Sequence, residues 1–369
     1  MIPVNRPLIL KDDIAAVVES LSQTYISGDT SIIQSTENAI SSAIGVSETI
    51  LLNSGTTAID LVIEYLEIKP DDEVVVPTFT IISTVSSILR RQGKLKLVDS
   101  DPSTWSLDAA KTVEMFSERT RAAIPVHIYG LNADMDPIVT AARHHGIFIL
   151  EDAAEAFGSE YRRRKCGSLG DASVFSFYAN KVVTGGEGGA ICTNNESLAK
   201  FSRSARNLNF QPGLRFVHNS LGYNYRMPSL SASLINSQIS RLPDLVAAKK
   251  NLGKQYLGYL KGHPWLEFAP DRNENSENSY WVFGVLLNEE CPYNADQLQK
   301  LLLEVGIETR RFFCPIHLQP IFKKLNPGYS EKFPIAERLW ERGIYLPSGL
   351  GNTTNEIEQV CKALWDLTK

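Results

Sequence analysis

The stretch Val174-Phe-Ser-Phe-Tyr-Ala-Asn-Lys181-Val-Val-Thr-Gly185-Gly-Glu-Gly-Gly189 sets one lysine between an apolar, strand-like run and a glycine-rich loop. So much glycine lets backbone pass close to a bound group. Lys181 is therefore the first candidate to carry a cofactor. Read alone, the same pattern also fits a solvated lysine beside a tight turn, and the neighbouring segments have to separate the two.

Upstream, short apolar runs alternate with helical spacing. Lys11 to Leu21, Ser31 to Ile44, Thr56 to Leu66, Ile81 to Arg91 and Met135 to His145 have helical periodicity. Thr49 to Leu52, Glu73 to Val76, Leu95 to Val98, Ala122 to His127 and Ile147 to Leu150 read as strands. This rhythm predicts an α/β domain, a mostly parallel sheet sandwiched by helices, in which ligands sit beyond the carboxyl ends of the strands. From about Met227 the alternation stops. Ser229 to Leu260 reads as one long helix bent near Pro243, followed by a compact α+β region with a strand over Tyr280 to Leu287. The expected division is a large domain over residues 1–242 and a smaller one over residues 243–369.

Composition narrows the function. With 43% hydrophobic and 21% charged residues the chain is an ordinary globular one, and its net charge of -5 disfavours nucleic acid. The short basic run Arg162-Arg163-Arg164-Lys165 reads as an exposed hairpin turn. No window is apolar enough to span a bilayer, and the N-terminus lacks a signal-peptide pattern, so a cytoplasmic location is expected. Five scattered cysteines form no Cys-x-x-Cys pair and six histidines no cluster, which leaves a protein-bound metal without support.

The residues after each strand carry the chemistry. Asn53-Ser-Gly55-Thr56-Thr57 opens a helix, where free N–H groups and the helix dipole favour an anion, although a plain N-cap would look the same. Glu151-Asp152-Ala-Ala-Glu155 ends a buried strand with carboxylates that need a positive partner, and the alanines leave room for a flat ligand. Asp152 could instead cap a following helix. Lys181 follows Asp152 by 29 residues. A helix-start anion site, a strand-end aspartate and a lysine, in that order, form the constellation of a pyridoxal 5′-phosphate (PLP) enzyme.

At this point the chain resembles a known family. Ser54-Gly55-Thr56, Pro77-Thr-Phe-Thr80, Val126-His-Ile-Tyr-Gly130, Glu151-Asp-Ala-Ala-Glu155-Ala, Ser176-Phe-Tyr-Ala-Asn-Lys181, Gly186-Glu-Gly-Gly189 and Gly222-Tyr-Asn-Tyr-Arg-Met227 are similar to motifs of the DegT/DnrJ/EryC1/StrS sugar aminotransferases. The resemblance implies a type I PLP-dependent transferase fold, like that of aspartate aminotransferase, and a homodimer with shared active sites. It further implies that Lys181 bonds to PLP and moves the proton, that Asp152 pairs with the pyridinium nitrogen, and that Glu155 lies near the ring hydroxyl. Gly55, Thr56 and Ser176 would hold the phosphate, with Asn224 reaching it from the partner subunit. Where the family commonly places an aromatic over the ring, this chain has Ile81; Phe79, if that segment is extended, points the other way.

The segment Glu308-Thr-Arg310-Arg311-Phe-Phe-Cys-Pro-Ile-His317 combines guanidinium groups, aromatics and a histidine, which suit a diphosphate and a sugar or base but also an ordinary charged turn. With Ser279-Tyr280-Trp281, this wording is most similar to the perosamine-forming branch, whose members aminate C4 of a GDP-linked 4-keto-6-deoxy sugar with L-glutamate as donor. Arg310, His317 and Tyr280 are therefore the substrate candidates. A UDP- or dTDP-sugar aminotransferase acting at C4 or C3 stays open. A related sugar dehydratase would carry histidine in place of Lys181, and a non-catalytic regulator would be expected to have lost Lys181 or Asp152.

Overall fold

The computed structural model describes residues 1–368 except Pro212 and Arg215. Its larger sheet contains β1 (Glu48–Leu52), β2 (Glu73–Pro77), β3 (Lys94–Val98), β4 (Thr120–Ala123) and β5 (Phe148–Asp152). After a small hairpin of β6 (Glu160–Tyr161) and β7 (Arg164–Lys165) come β8 (Ala172–Ser176) and β9 (Gly189–Thr193). The spatial order is β1-β9-β8-β5-β4-β2-β3, and β9 alone runs against the others. Successive residues of these strands enter different cores, because side chains alternate across a sheet. Ile50, Val74, Val76, Leu150 and Val174 join one cluster, whereas Leu51, Val75, Ile149 and Phe175 join another. The sheet is thus covered on both faces, which explains its continuous apolar runs.

Helices α1 (Lys11–Ser22), α2 (Ser31–Ile44), α3 (Gly55–Tyr65), α4 (Ser83–Arg90), α5 (Ala109–Glu114), α6 (Met135–His145) and α7 (Glu196–Ala205) belong to this part. The expected strand through His127 stops at Ala123; Pro125 cannot donate to a ladder, and beyond it only Val126 bridges to Asp152. The basic run does form a hairpin turn, with Arg162 and Arg163 both at positive φ (47° and 65°).

The expected long helix is two: α8 (Ser229–Ile239) and α9 (Leu242–Tyr259). Pro243 opens the second one, in the first turn, where its missing N–H leaves no bond unmade. A second, antiparallel sheet follows, ordered β10 (Leu266–Glu267), β11 (Phe283–Leu287), β13 (Gly343–Leu346), β12 (Arg310–Arg311). It packs with α9, α10 (Ala295–Glu304) and α13 (Thr354–Asp366) around a third core that includes Tyr256, Phe283, Leu298 and Val360. Helices α11 (Pro320–Leu325) and α12 (Pro334–Arg342) instead send Phe322, Ala336 and Leu339 into the first cluster. Strand β11 starts three residues later than expected, since Tyr280 has φ +51° and leaves the extended region. Among the described residues no helix is long and apolar enough to cross a membrane.

One buried amine ties α9 to the segment that follows β13. Lys249 is 2% exposed and donates its amine hydrogen to the Ser348 carbonyl; burial alone pushes its pKa from 10.5 down to about 7. Between those values the unfolded chain binds a proton that the folded chain does not, so folding stability rises with pH across that window. Lys249→Met is therefore expected to raise the thermal midpoint near pH 7, by about 1–3 kcal/mol of stability after the lost hydrogen bond is discounted. Melts compared at pH 7 and about pH 9.5 check this, and a gap that fails to narrow at the higher pH counts against it.

Candidate active site

The carboxyl ends of β1, β2, β5 and β8 and the start of the reversed β9 meet at one edge of the sheet. A cavity of about 340 Å³ opens there, lined by Ser54, Gly55 and Thr56 after β1, Ile81 after β2, Asp152 and Glu155 around the end of β5, and Ser176 and Lys181 after β8. These eight residues are a single site. Register explains their convergence: Gly189 is paired with Leu52 on one side and Ser176 on the other. A Cβ on Gly189 would lie 2.3 Å from the Ser54 carbonyl carbon and 2.4 Å from Gly55 N, so only glycine lets β9 pass under the start of α3.

At that start Ser54 caps the helix, accepting from Thr57 N at 3.2 Å. The amides of the first turn, which a helix cannot pair within its own ladder, are those of Gly55 and Thr56. The Thr56 hydroxyl donates to Ser83 Oγ at 3.0 Å. Gly55 abuts Ser176, whose Cβ is 3.2 Å from where a glycine-replacing Cβ would be.

The two carboxylates of β5 separate as strand alternation requires. Glu151 turns away from the cavity and is fully satisfied: Gly167, Leu169 and Gly170 donate their amides at 2.6–2.8 Å, and His127 Nε2 lies at 3.2 Å. Asp152 faces the cavity. It caps no helix; it accepts from the Thr84 hydroxyl at 2.9 Å and Ala154 N at 3.3 Å. Burial pushes its pKa up, against the pull of Thr84 and Lys181. Glu155 accepts from Tyr129 N at 2.8 Å, and burial raises its pKa to about 8. The Lys181 amine, 3.7 Å from the centroid of the Trp281 ring, is driven in the opposite direction: burial lowers its pKa while Glu155 and Asp152 hold it up.

The remaining candidates do not enter the cavity. His317 is 4% exposed, and both ring nitrogens face protein groups, Thr78 Oγ1 at 2.7 Å and Glu337 Oε1 at 3.2 Å. Tyr280 is buried over Gly253 of α9 and donates to Asp271 at 3.0 Å; its neighbour Trp281 lines the cavity instead. His317 and Tyr280 thus lie outside the lining of this chain's own cavity. Arg310 is exposed and lies opposite Tyr345 in the β12–β13 ladder, and Tyr345 lines the cavity. Asn224 is exposed and is not among the cavity residues. Ile81 is 46% exposed at the cavity, while Phe79 is fully buried against Tyr129 and Phe312. Phe313 and Tyr345, also in the lining, were not singled out from sequence.

A model of the DegT/DnrJ/EryC1/StrS aminotransferase family matches residues 7–365 of this chain. The chain belongs to that family. It is similar to the GDP-perosamine synthase of Caulobacter vibrioides, 37% identical over 348 residues covering 94% of this chain and 93% of the other. It is also similar to the GDP-perosamine synthase of Escherichia coli O157:H7, 32% identical with 98% and 97% of the chains covered. Among solved structures, the aminotransferase TlmJ from Streptoalloteichus hindustanus superposes with a TM-score of 0.92, at 26% identity and full coverage of both chains. As a member of the DegT/DnrJ/EryC1/StrS aminotransferase family the chain is a PLP-dependent aminotransferase with the type I fold.

The residues present fit that cofactor. The glycine cradle leaves room at the helix start, a buried carboxylate waits opposite, and the Asn180 Oδ1, buried in the cavity wall, has no hydrogen-bond partner among the described residues. Because the cradle depends on Gly189, Gly189→Ala is expected to cost roughly 3 kcal/mol or more, or to abolish soluble expression. Gly186, at φ +80° with nothing within 4 Å of a new Cβ, should tolerate alanine at about 1–2 kcal/mol. Denaturation of the two variants side by side checks the contrast.

Proposed function

We propose that this aminotransferase takes an amino group from L-glutamate and delivers it to the C4 keto carbon of a nucleotide-linked 4-keto-6-deoxy sugar. GDP-4-keto-6-deoxymannose is the proposed substrate and GDP-perosamine the product. The reading is carried by one observation: the Lys181 amine shares a cavity with Asp152, Glu155 and a capped helix start. Similarity to GDP-perosamine synthases over nearly the whole chain supports the choice of sugar.

When bound, PLP supplies an aldehyde carbon that bonds to amines and a ring that accepts electron density from that carbon. The first-turn amides of Gly55 and Thr56, with Ser176, would hold its phosphate, since a helix N-terminus favours an anion. Asp152 would face the ring nitrogen and keep it protonated, and Thr84 fixes that carboxylate in one orientation. Glu155 would lie near the ring hydroxyl. Lys181 would tether the cofactor and then hold or move the proton at Nζ; burial, by lowering its pKa, favours the neutral amine that acts as nucleophile and base. Arg310, beside Tyr345 at the cavity's edge, suits the diphosphate.

A homodimer completes the reading. Ile14, Val18 and Leu21 form an exposed apolar stripe along α1, and Tyr25, Ile26, Phe216 and Leu221 are likewise exposed. Asn224, outside its own chain's cavity, would reach the phosphate of the partner's site.

Three experiments test the proposal. Borohydride treatment followed by peptide mapping should leave the cofactor on Lys181, and a tag on another lysine would falsify its role. A panel of GDP-, UDP- and dTDP-linked 4-keto sugars with glutamate, read by NMR, should give a 4-amino product from the GDP sugar; amination at C3 or preference for another nucleotide would replace the substrate named here. Ile81→Phe, which offers an aromatic face over the proposed ring site, should tighten PLP about two- to tenfold, as stacking contributes about 0.5–1.5 kcal/mol. Cofactor titration by absorbance measures it, and unchanged affinity would place Ile81 away from the ring.

A further inference from the structure

Trp281, Phe313 and Tyr345, all from the second part of the chain, line the cavity, and one of them reaches the lysine. Trp281 touches the lysine-bearing turn twice. Its indole N–H donates to the Asn180 carbonyl at 3.0 Å, the peptide oxygen immediately before Lys181. Its ring face lies 3.7 Å from Lys181 Nζ. The turn is also held from a second side, by the Asn5 side-chain amide donating to the Ala179 carbonyl at 3.2 Å.

The position of Trp281 is itself tightly determined. Ser279 N donates to the Gly130 carbonyl at 2.9 Å, and a Cβ on Gly130 would lie 2.6 Å from Tyr280 N and 2.7 Å from Trp281 N. The two crossing segments each contain a residue forced to positive φ, Tyr129 at 55° and Tyr280 at 51°. Strain of this kind persists only where surroundings over-determine it, and it gathers at functional sites. Here it delivers an indole ring to one amine.

We infer that Trp281 is a positioning residue for Lys181: its ring face holds the amine as a cation whenever that amine is not bonded to the cofactor. A catalytic lysine needs such a resting place, because it must leave the reacting carbon and return to it. Trp281 supplies one that attracts the charged form through its π face without offering a carboxylate that would compete for the proton. The titratable side chains lining the same cavity are Asp152, Glu155, Tyr178, Glu187 and Tyr345. Their carboxylates act on Lys181 in every variant considered below, so comparisons between variants isolate the ring.

The inference rests on the reading of Lys181 as the reactive lysine, but its test does not use turnover. Full-length protein freed of PLP is acetylated with acetic anhydride across a pH series, and the rate at Lys181 is read by peptide mass spectrometry. Trp281→Phe keeps an aromatic face and loses the N–H; Trp281→Leu keeps apolar bulk and loses both. The Phe variant should label like the parent within about threefold, and the Leu variant about tenfold faster near neutral pH, with its profile shifted to lower pH. Equal profiles for Phe and Leu, or slower labelling of Leu, overturn the inference. Should the Leu variant fail to fold, uniform replacement of tryptophan by mono-, di- and tetrafluorotryptophan drains the ring face at nearly constant shape. Labelling should then quicken stepwise with fluorination, and no trend is the overturning result. A borohydride tag found away from Lys181 would instead defeat the functional reading while leaving these rates intact.

Discussion

Burying an amine and two carboxylates in one cavity is the constraint on which the rest of this structure depends. Lys181, Asp152 and Glu155 each resist losing water in the charged form; the amine eases the burial of both carboxylates and they ease its own, while the carboxylates oppose one another. The surrounding scaffold therefore has to fix three side chains from two different strand ends and hold them together. Thr84 locks Asp152, the Tyr129 amide locks Glu155, and Trp281 covers Lys181. None of these three supports comes from the strand whose side chain it restrains.

That division explains what could be read from the sequence. Asp152, Lys181 and the Ser54-Gly55-Thr56 helix start are visible because their neighbours along the chain announce them: an apolar strand, a run of glycines, a capping serine. Fold class was legible for the same reason, since alternation of strand and helix is a local pattern. Supports such as Thr84 and Tyr345 have no local signature. Tyr345 lines the cavity from β13, and Arg310 comes near it only through their pairing, a register set between strands thirty-odd residues apart.

Placements that the local pattern left open have the same origin. His317 looks like a ligand beside paired arginines, yet its ring meets Thr78, from the far end of the sequence, and lies outside the cavity lining. Tyr280 and Trp281 are adjacent in a motif, and only the positive φ at Tyr280 decides which of the two faces the cavity. Glu151 and Asp152 are likewise neighbours with opposite fates, but there the two-residue period of a strand made the separation a matter of simple geometry.

Chain order gives the cavity a history as well as a shape. Ser54, Asp152, Ser176 and Lys181 leave the ribosome before the residues that roof them, Trp281, Phe313 and Tyr345. The Lys181 amine therefore has its carboxylate neighbours encoded before its roof, and its burial is complete only with the last quarter of the chain in place. A chain cut short before Trp281 would keep the carboxylates and the amine but lack the roof that encloses them.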